Sequence, residues 1–153
     1  MATDLADEFD SVLKDVIDLA DSCSEVDWQT PCPNEARTVG VVFDHIASGN
    51  ELVMDWIAAF LGGQPIAISP QSIDARNAAH KDEAAQRPRA VTIERLFRGT
   101  TLTSHYLHGL SEAQLGRTQE FGWLGQQDVA FLVRQGIGHP RKHLLSIREA
   151  LGR

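Results

Sequence analysis

Residues 38–61 read TVGVVFDHIASGNELVMDWIAAFL, and this stretch decides the fold. Its apolar residues recur at steps of three and four, which predicts an amphipathic helix with one buried face. Thr38 is a good N-cap for this helix, and Gly62 and Gly63 are expected to end it. The predicted buried stripe is Val42, Ile46, Gly49, Val53, Trp56, Ile57 and Phe60.

Similar spacing predicts further helices over about residues 4–24, 71–86, 92–110 and 127–151. The last of these contains Gly136, Gly138 and Pro140, which are expected to interrupt it. The region would then be either one interrupted helix or two separate helices, the second beginning near Pro140. No stretch alternates as a strand would. We therefore predict an all-α four-helix bundle with accessory helical segments, formed by residues 1–153 as one domain. The predicted core comprises Phe9, Val16, Ile46, Val53, Trp56, Phe60, Leu96, Leu107, Val133 and Ile147.

Charge and composition exclude several classes of protein. The 153 residues carry a formal net charge of −7, which disfavours nucleic acid as a partner. The longest uncharged apolar run, residues 56–61, is too short to span a membrane. The acidic N-terminus differs from a signal peptide, so we expect a cytoplasmic protein. Cys23 and Cys32 are too few for a disulfide framework, and Cys23 lies on the apolar stripe of the first helix.

Three histidines are the candidate metal ligands. His45 lies about 60° from the centre of its stripe, at the edge of the buried face. His139 and His143 are four residues apart on the last helix, which places their imidazoles one above the other. Three neutral imidazoles with open coordination positions would suit zinc, nickel or ferrous iron. The alternative is that the pair on the last helix is simply two partly exposed surface histidines.

The other three histidines differ in position. His105 and His108 point away from the apolar stripe of their helix and are expected to be solvated surface groups. His80 lies on the inner side of the alanine-rich helix predicted over residues 71–86 and is a reserve candidate for a polar contact near the site. Asp44 is adjacent to His45 but points about 100° away from it, which makes Asp44 a poor partner for that imidazole.

Several of these residues resemble motifs of a known family. The segments 31–33 (Pro-Cys-Pro), 38–39 (Thr-Val) and 45–47 (His-Ile-Ala) resemble the N-terminal motif of DinB-like proteins. Residues 139–144, HPRKHL, are similar to the terminal HxxxH motif of the same proteins. The branch with the greatest similarity is the metal-binding domain of mycothiol-dependent maleylpyruvate isomerases. The resemblance implies a four-helix bundle with a divalent metal ion held by His45, His139 and His143.

The resemblance also implies a chemistry. Characterised relatives use a low-molecular-weight thiol such as mycothiol or bacillithiol, which implies an S-transferase or isomerase acting on an electrophilic substrate. A metal with open positions can stabilise a thiolate near neutral pH. The alternative is a non-catalytic metal-binding or stress-response module. Arg141 and Lys142 are candidates for attracting an anionic cosubstrate, with simple surface solvation as the alternative.

The glycine-rich loop at residues 116–125 bears on assembly. It contains Phe121, Trp123 and Leu124, which would form an exposed apolar patch if the loop projects from the bundle. Together with the family resemblance, such a patch favours a homodimer. The alternative is that the loop folds back over its own bundle.

Overall fold

The computed structural model describes all 153 residues, and most of them are helical. Short antiparallel strand pairs occupy two of the connections between helices. The helices are α1 Ala2–Ser22, α2 Glu25–Gln29, α3 Val39–Leu61, α4 Pro70–Ala84, α5 Arg89–His108, α6 Glu112–Leu115 and α7 Val129–Leu151. The strands are β1 Pro31–Cys32, β2 Arg37–Thr38, β3 Thr118–Glu120 and β4 Gln126–Asp128.

The long helices α1, α3, α5 and α7 form a four-helix bundle, as predicted. Both α1 and α3 pack against α5 and α7, which places α1 and α3 diagonally opposite each other. Helix α4 crosses the outside of the bundle against α3. Of the predicted core residues all are buried except Trp56, which is half-buried and packs against the core. None of the helices combines the length and apolar content that a membrane crossing requires.

The two helices that carry the candidate ligands begin at side-chain caps. Thr38 Oγ1 accepts a hydrogen bond from the backbone N–H of Val41, which starts α3 at the predicted residue. Asp128 Oδ1 accepts one from the backbone N–H of Phe131 at 2.6 Å and starts α7 in the same way. These caps fix the rotational register of both helices and therefore the direction in which their histidines point.

The expected interruption of the last helical region is wrong, because α7 runs unbroken through Pro140. A proline inside a helix removes one hydrogen bond and crowds the carbonyl group four residues earlier, at a cost of about 3 kcal/mol. Both halves of α7 bury apolar side chains in the bundle, including Val133 before the proline and Ile147 after it. Burying side chains of this size contributes roughly 1.5–3 kcal/mol each, which outweighs the local cost.

The fold is all-α as predicted, but two connections contain short strand pairs that the alternation pattern did not indicate. Strand β1 pairs with β2, with Pro31 opposite Thr38, and the two enclose a single 3-10 turn at Pro33–Glu35. Strand β3 pairs with β4 around a similar turn at Gly122–Leu124. Strands of two or three residues are too short to show an alternating pattern in the sequence.

The short helices α2 and α6 were also missed by apolar periodicity. Each begins with a serine that forms a capping box with the residue three positions later, Asp27 for Ser24 and Gln114 for Ser111. This serine-led spacing is the sequence signal that could have revealed both helices.

The loop between β3 and β4 folds back in part over the bundle. Phe121 is buried, with its ring 4.9 Å from that of Trp56 and 6.0 Å from that of Phe60. Trp123 and Leu124 remain 52% and 43% exposed. The predicted apolar patch therefore consists of two side chains rather than three, and the homodimer stays a prediction.

Candidate metal centre

The structure brings the three predicted ligand residues together between α3 and α7. The ring centroids lie 4.7 Å apart for His45 and His139, 4.7 Å for His45 and His143, and 4.5 Å for His139 and His143. One ring nitrogen from each residue lies within 4.8 Å of the other two. The Nε2 atoms of His45 and His139 are 2.9 Å apart, close enough to share one hydrogen or one ion.

Burial keeps these imidazoles neutral. It lowers the pKa of His45 to about 2 and that of His139 to about 3, and the charges of nearby cations and imidazoles add to the effect. Burial also lowers the pKa of His143, although Glu35 opposes that shift. A neutral imidazole has a free lone pair, which is the form that binds a metal ion.

Glu35 holds the third imidazole in place. Its Oε1 accepts a hydrogen bond from His143 Nδ1 at 2.8 Å, and both side chains are nearly buried. A carboxylate can only accept here, so the proton is fixed on Nδ1 and the lone pair is on Nε2. Sequence reasoning missed Glu35, because it lies in the turn between β1 and β2 and no helical spacing relates it to His143.

The donor set fits a divalent metal ion. Three neutral imidazoles from two helices converge, two of them buried (His45 and His143) and one half-buried (His139), and a carboxylate orients one of them in the way that metal-binding histidines usually are oriented. His45 Nδ1 is buried and has no hydrogen-bond partner, so the only polar contact of this imidazole is through Nε2, at the centre of the cluster. Zinc, nickel and ferrous iron all accept such a set.

Behind the cluster lies a buried polar network centred on Asp44. The carboxylate of Asp44 accepts hydrogen bonds from His80 Nε2 at 2.8 Å, Thr92 Oγ1 at 2.7 Å and Arg95 at 2.7 Å, and it also pairs with Arg87. Burial alone would raise the pKa of this carboxyl, but these four donors hold it well below its usual range.

His80, the reserve candidate for a polar contact near the site, belongs to this network. Its ring lies 5.6 Å from that of His45 and hydrogen-bonds Asp44 rather than joining the ligand cluster. Asp44 makes no hydrogen bond to the imidazole of His45, as predicted from its direction on the helix. The network therefore ties α3 to α4 and α5 directly beside the candidate ligands.

His105 and His108 lie outside the centre, as predicted. His105 is exposed on α5, and His108 Nε2 lies within hydrogen-bond distance of Asp10 Oδ2, at 2.9 Å, on the surface. Asp7 lies close to Asp10 and His108 and forms a small surface group with them. Both histidines border a separate open groove between α1 and α5.

The histidine cluster borders a cavity of about 360 Å³. Apolar walls come from Leu52, Val53 and Trp56 on α3, and Asn77 and Gln135 contribute neutral amides. The remaining lining residues are Glu35, Arg37, His45, Gly49, Ile73, Arg76, His139, Lys142 and His143. A small molecule in this cavity would lie in direct contact with the three imidazoles.

A comparison with known families identifies the class of protein. Residues 8–147 match the sequence profile of the DinB superfamily, which covers nearly the whole chain. The four-helix bundle with histidines on two facing helices agrees with this match, and the chain belongs to the DinB superfamily. It has no match among curated proteins or among solved structures.

Proposed function

We propose that the protein is a divalent-metal-dependent S-transferase or isomerase that uses a low-molecular-weight thiol of the mycothiol or bacillithiol type. The observation that carries this proposal is the position of His45, His139 and His143 at the wall of a cavity that can admit a small molecule. A site with a purely structural metal is closed, whereas this one leaves room for a further ligand beside the imidazoles.

The chain's own cysteines support an external thiol as the source of sulfur. Cys23 and Cys32 are both buried, and burial raises the pKa of each thiol. Cys32 Sγ is also engaged with the carbonyl oxygen of Ser146 at 3.4 Å. Neither side chain lies in the cavity as an available nucleophile, so the reacting sulfur would be brought in by a substrate.

Each group of residues at the centre would have its own role in this reaction. The three imidazoles would hold the ion, and Glu35 keeps His143 in the tautomer that presents Nε2. The apolar walls formed by Leu52, Val53 and Trp56 exclude water from the reacting sulfur. When bound, a divalent ion would lower the pKa of a coordinated thiol and so supply a thiolate near neutral pH for attack on an electrophilic carbon.

Metal content is the first test. We expect protein purified without an affinity tag to contain about one divalent ion per chain by elemental analysis. His143→Ala should lose this metal, whereas His105→Ala, which removes an exposed imidazole outside the cluster, should retain it. Equal metal content in the wild type and both variants would show that the three histidines are not the ligands.

Thiol binding is the second test, and it separates an enzyme from a module that only binds metal. The cobalt-substituted protein should develop a thiolate-to-metal charge-transfer absorption band when a small thiol is added. A metal-loaded protein with no such band for any low-molecular-weight thiol would support the non-catalytic alternative instead.

A further inference from the structure

Positive side chains are concentrated on the wall of the cavity that holds the histidine cluster. Arg37, Arg76 and Lys142 line it together with a single carboxylate, Glu35, whose charge is already engaged by His143. The chain as a whole has a net charge of −7, so this local excess of positive charge runs against the overall balance. The charge of the lining therefore needs its own explanation.

These three side chains also lack the partners that satisfy other cations in the chain. Most Lys and Arg residues pair with a carboxylate, as Arg87, Arg95 and Arg141 do. Arg37, Arg76 and Lys142 form no salt bridge, although Arg37 and Arg76 are half-buried and Arg37 Nε is buried without a hydrogen-bond partner. Partly buried cations without counter-charges are costly unless a ligand supplies the charge.

Arg76 is held in position from one side only. Its NH2 group donates hydrogen bonds to the hydroxyl oxygen of Ser48 at 2.8 Å and to the carbonyl oxygen of Ser48 at 3.3 Å. The rest of the guanidinium makes no hydrogen bond within the chain, which leaves N–H donors available to a ligand in the cavity. A guanidinium anchored in this way is suited to a carboxylate.

We propose that Arg37, Arg76 and Lys142 form a subsite for a carboxylate group on the small molecule that occupies this cavity. The inference rests on the proposed function for the nature of that molecule, since the carboxylate could belong to the thiol or to its electrophilic partner. Arg141, the other predicted anion-attracting residue, is not part of the subsite, because it pairs with Glu8.

The charge preference is testable without metal. Isothermal titration calorimetry on the metal-free protein should show succinate, a dicarboxylate, binding at least about tenfold more tightly than the uncharged succinamide. Arg76→Gln and Lys142→Gln should each weaken succinate binding by about tenfold or more. Raising the salt concentration should also weaken it, since the charges are partly exposed.

Two matched controls remove one positive charge from the same helices outside the cavity. Lys81→Gln on α4 and Arg148→Gln on α7 should leave the succinate affinity within about twofold of the wild type, because neither side chain lines this cavity. Lys142 is exposed, so its replacement leaves the fold intact and keeps the test valid if Arg76→Gln is unstable. Equal affinity for succinate and succinamide, or equal losses in the controls, would overturn the proposal.

A second arm locates the carboxylate. On cobalt-loaded protein, 3-mercaptopropionate should produce the charge-transfer band at a lower concentration than the uncharged 3-mercaptopropionamide if the thiol bears the carboxylate. If the band appears at the same concentration of both thiols and succinate still binds, the carboxylate belongs to the electrophile. If the protein binds no metal but still prefers succinate, the proposed function fails while the carboxylate subsite stands.

Discussion

The imidazole of His139 lies directly against Gly49, so closely that a methyl group at position 49 would be 2.6 Å from Cε1 and 2.8 Å from Nδ1 of the ring. Any side chain there would collide with the imidazole, since carbon atoms normally approach to about 3.5–4.0 Å. The absence of a side chain on α3 at this position is therefore what allows α7 to bring His139 beside His45.

Gly49→Ala should accordingly displace His139 and weaken metal binding by tenfold or more (about 1.4 kcal/mol) without changing any ligand residue. Gly99→Ala on α5 is the matched control, because a Cβ at Gly99 meets nothing within 4 Å. The control should gain about 0.5–1 kcal/mol in the free energy of unfolding from helix propensity and keep its metal affinity. Competition with a chromophoric chelator measures the affinities, and equal values for both variants would contradict the steric argument.

The hydrogen bond between Glu35 and His143 should also affect metal affinity, because it orients the imidazole of His143. Glu35→Ala removes the acceptor of His143 Nδ1, which frees the imidazole to rotate and to change tautomer. Metal affinity should fall about 10–100-fold, whereas Glu35→Gln, which retains an acceptor oxygen, should lose less.

Glu149→Ala provides the control for Glu35, because it removes an exposed carboxylate that accepts a hydrogen bond from Asn34 in the same turn. Its metal affinity should match the wild type by the same chelator competition. A loss in Glu149→Ala as large as that in Glu35→Ala would mean that the turn, and not the carboxylate, orients His143.

The Asp44 network should contribute strongly to stability. Asp44→Asn replaces a buried carboxylate that accepts from His80, Thr92, Arg87 and Arg95 with an amide that cannot satisfy them. We expect a loss of about 3–5 kcal/mol in the free energy of unfolding, measured by urea denaturation. Asp18→Asn, which breaks the exposed pair with Lys14, should cost less than about 1 kcal/mol.

The bundle could be predicted from helical periodicity, and the meeting of His45, His139 and His143 could be predicted from periodicity together with the family resemblance. The stripe in residues 38–61 and the spacing of His139 and His143 specify which faces of α3 and α7 meet, and the N-cap at Thr38 fixes where α3 begins. Helical geometry also assigned His105 and His108 to the surface, where they lie.

The surroundings of the cluster could not be predicted in this way. Glu35 reaches His143 only because the β1–β2 pair folds the chain back, and such a contact across more than a hundred residues leaves no trace in local spacing. Arg76 lies on α4 one turn before His80, but the weak apolar periodicity of that helix gave no reason to single out Arg76 among its polar residues. The four partners of Asp44 come from α4, from α5 and from the connection between them, so no local spacing relates them to Asp44.

The stability of the metal-free protein should depend on pH through the buried imidazoles. Their pKa values, about 2 for His45 and about 3 for His139, lie below the value of about 6.5 expected in the unfolded chain. Below about pH 6.5 the unfolded chain therefore takes up protons that the folded chain does not, and folding loses free energy as the pH falls. Above about pH 7 the two imidazoles are neutral in both states, so they do not change the free energy of unfolding with pH.

The expected slope is about 1.4 kcal/mol per pH unit for each of these two imidazoles between about pH 6 and 4.5. The low pKa of the Asp44 carboxyl affects stability only below about pH 4, where the unfolded carboxyl protonates, so Asp44 does not contribute between about pH 7 and 5. Urea denaturation of the metal-free protein between about pH 7 and 5 measures the slope. His45→Leu should reduce it by about 1.4 kcal/mol per pH unit, and His105→Ala should keep the wild-type slope, because its exposed imidazole lies outside the cluster. A free energy of unfolding that stays constant from about pH 7 to 5 would show that the imidazoles take up protons as readily in the folded protein as in the unfolded chain.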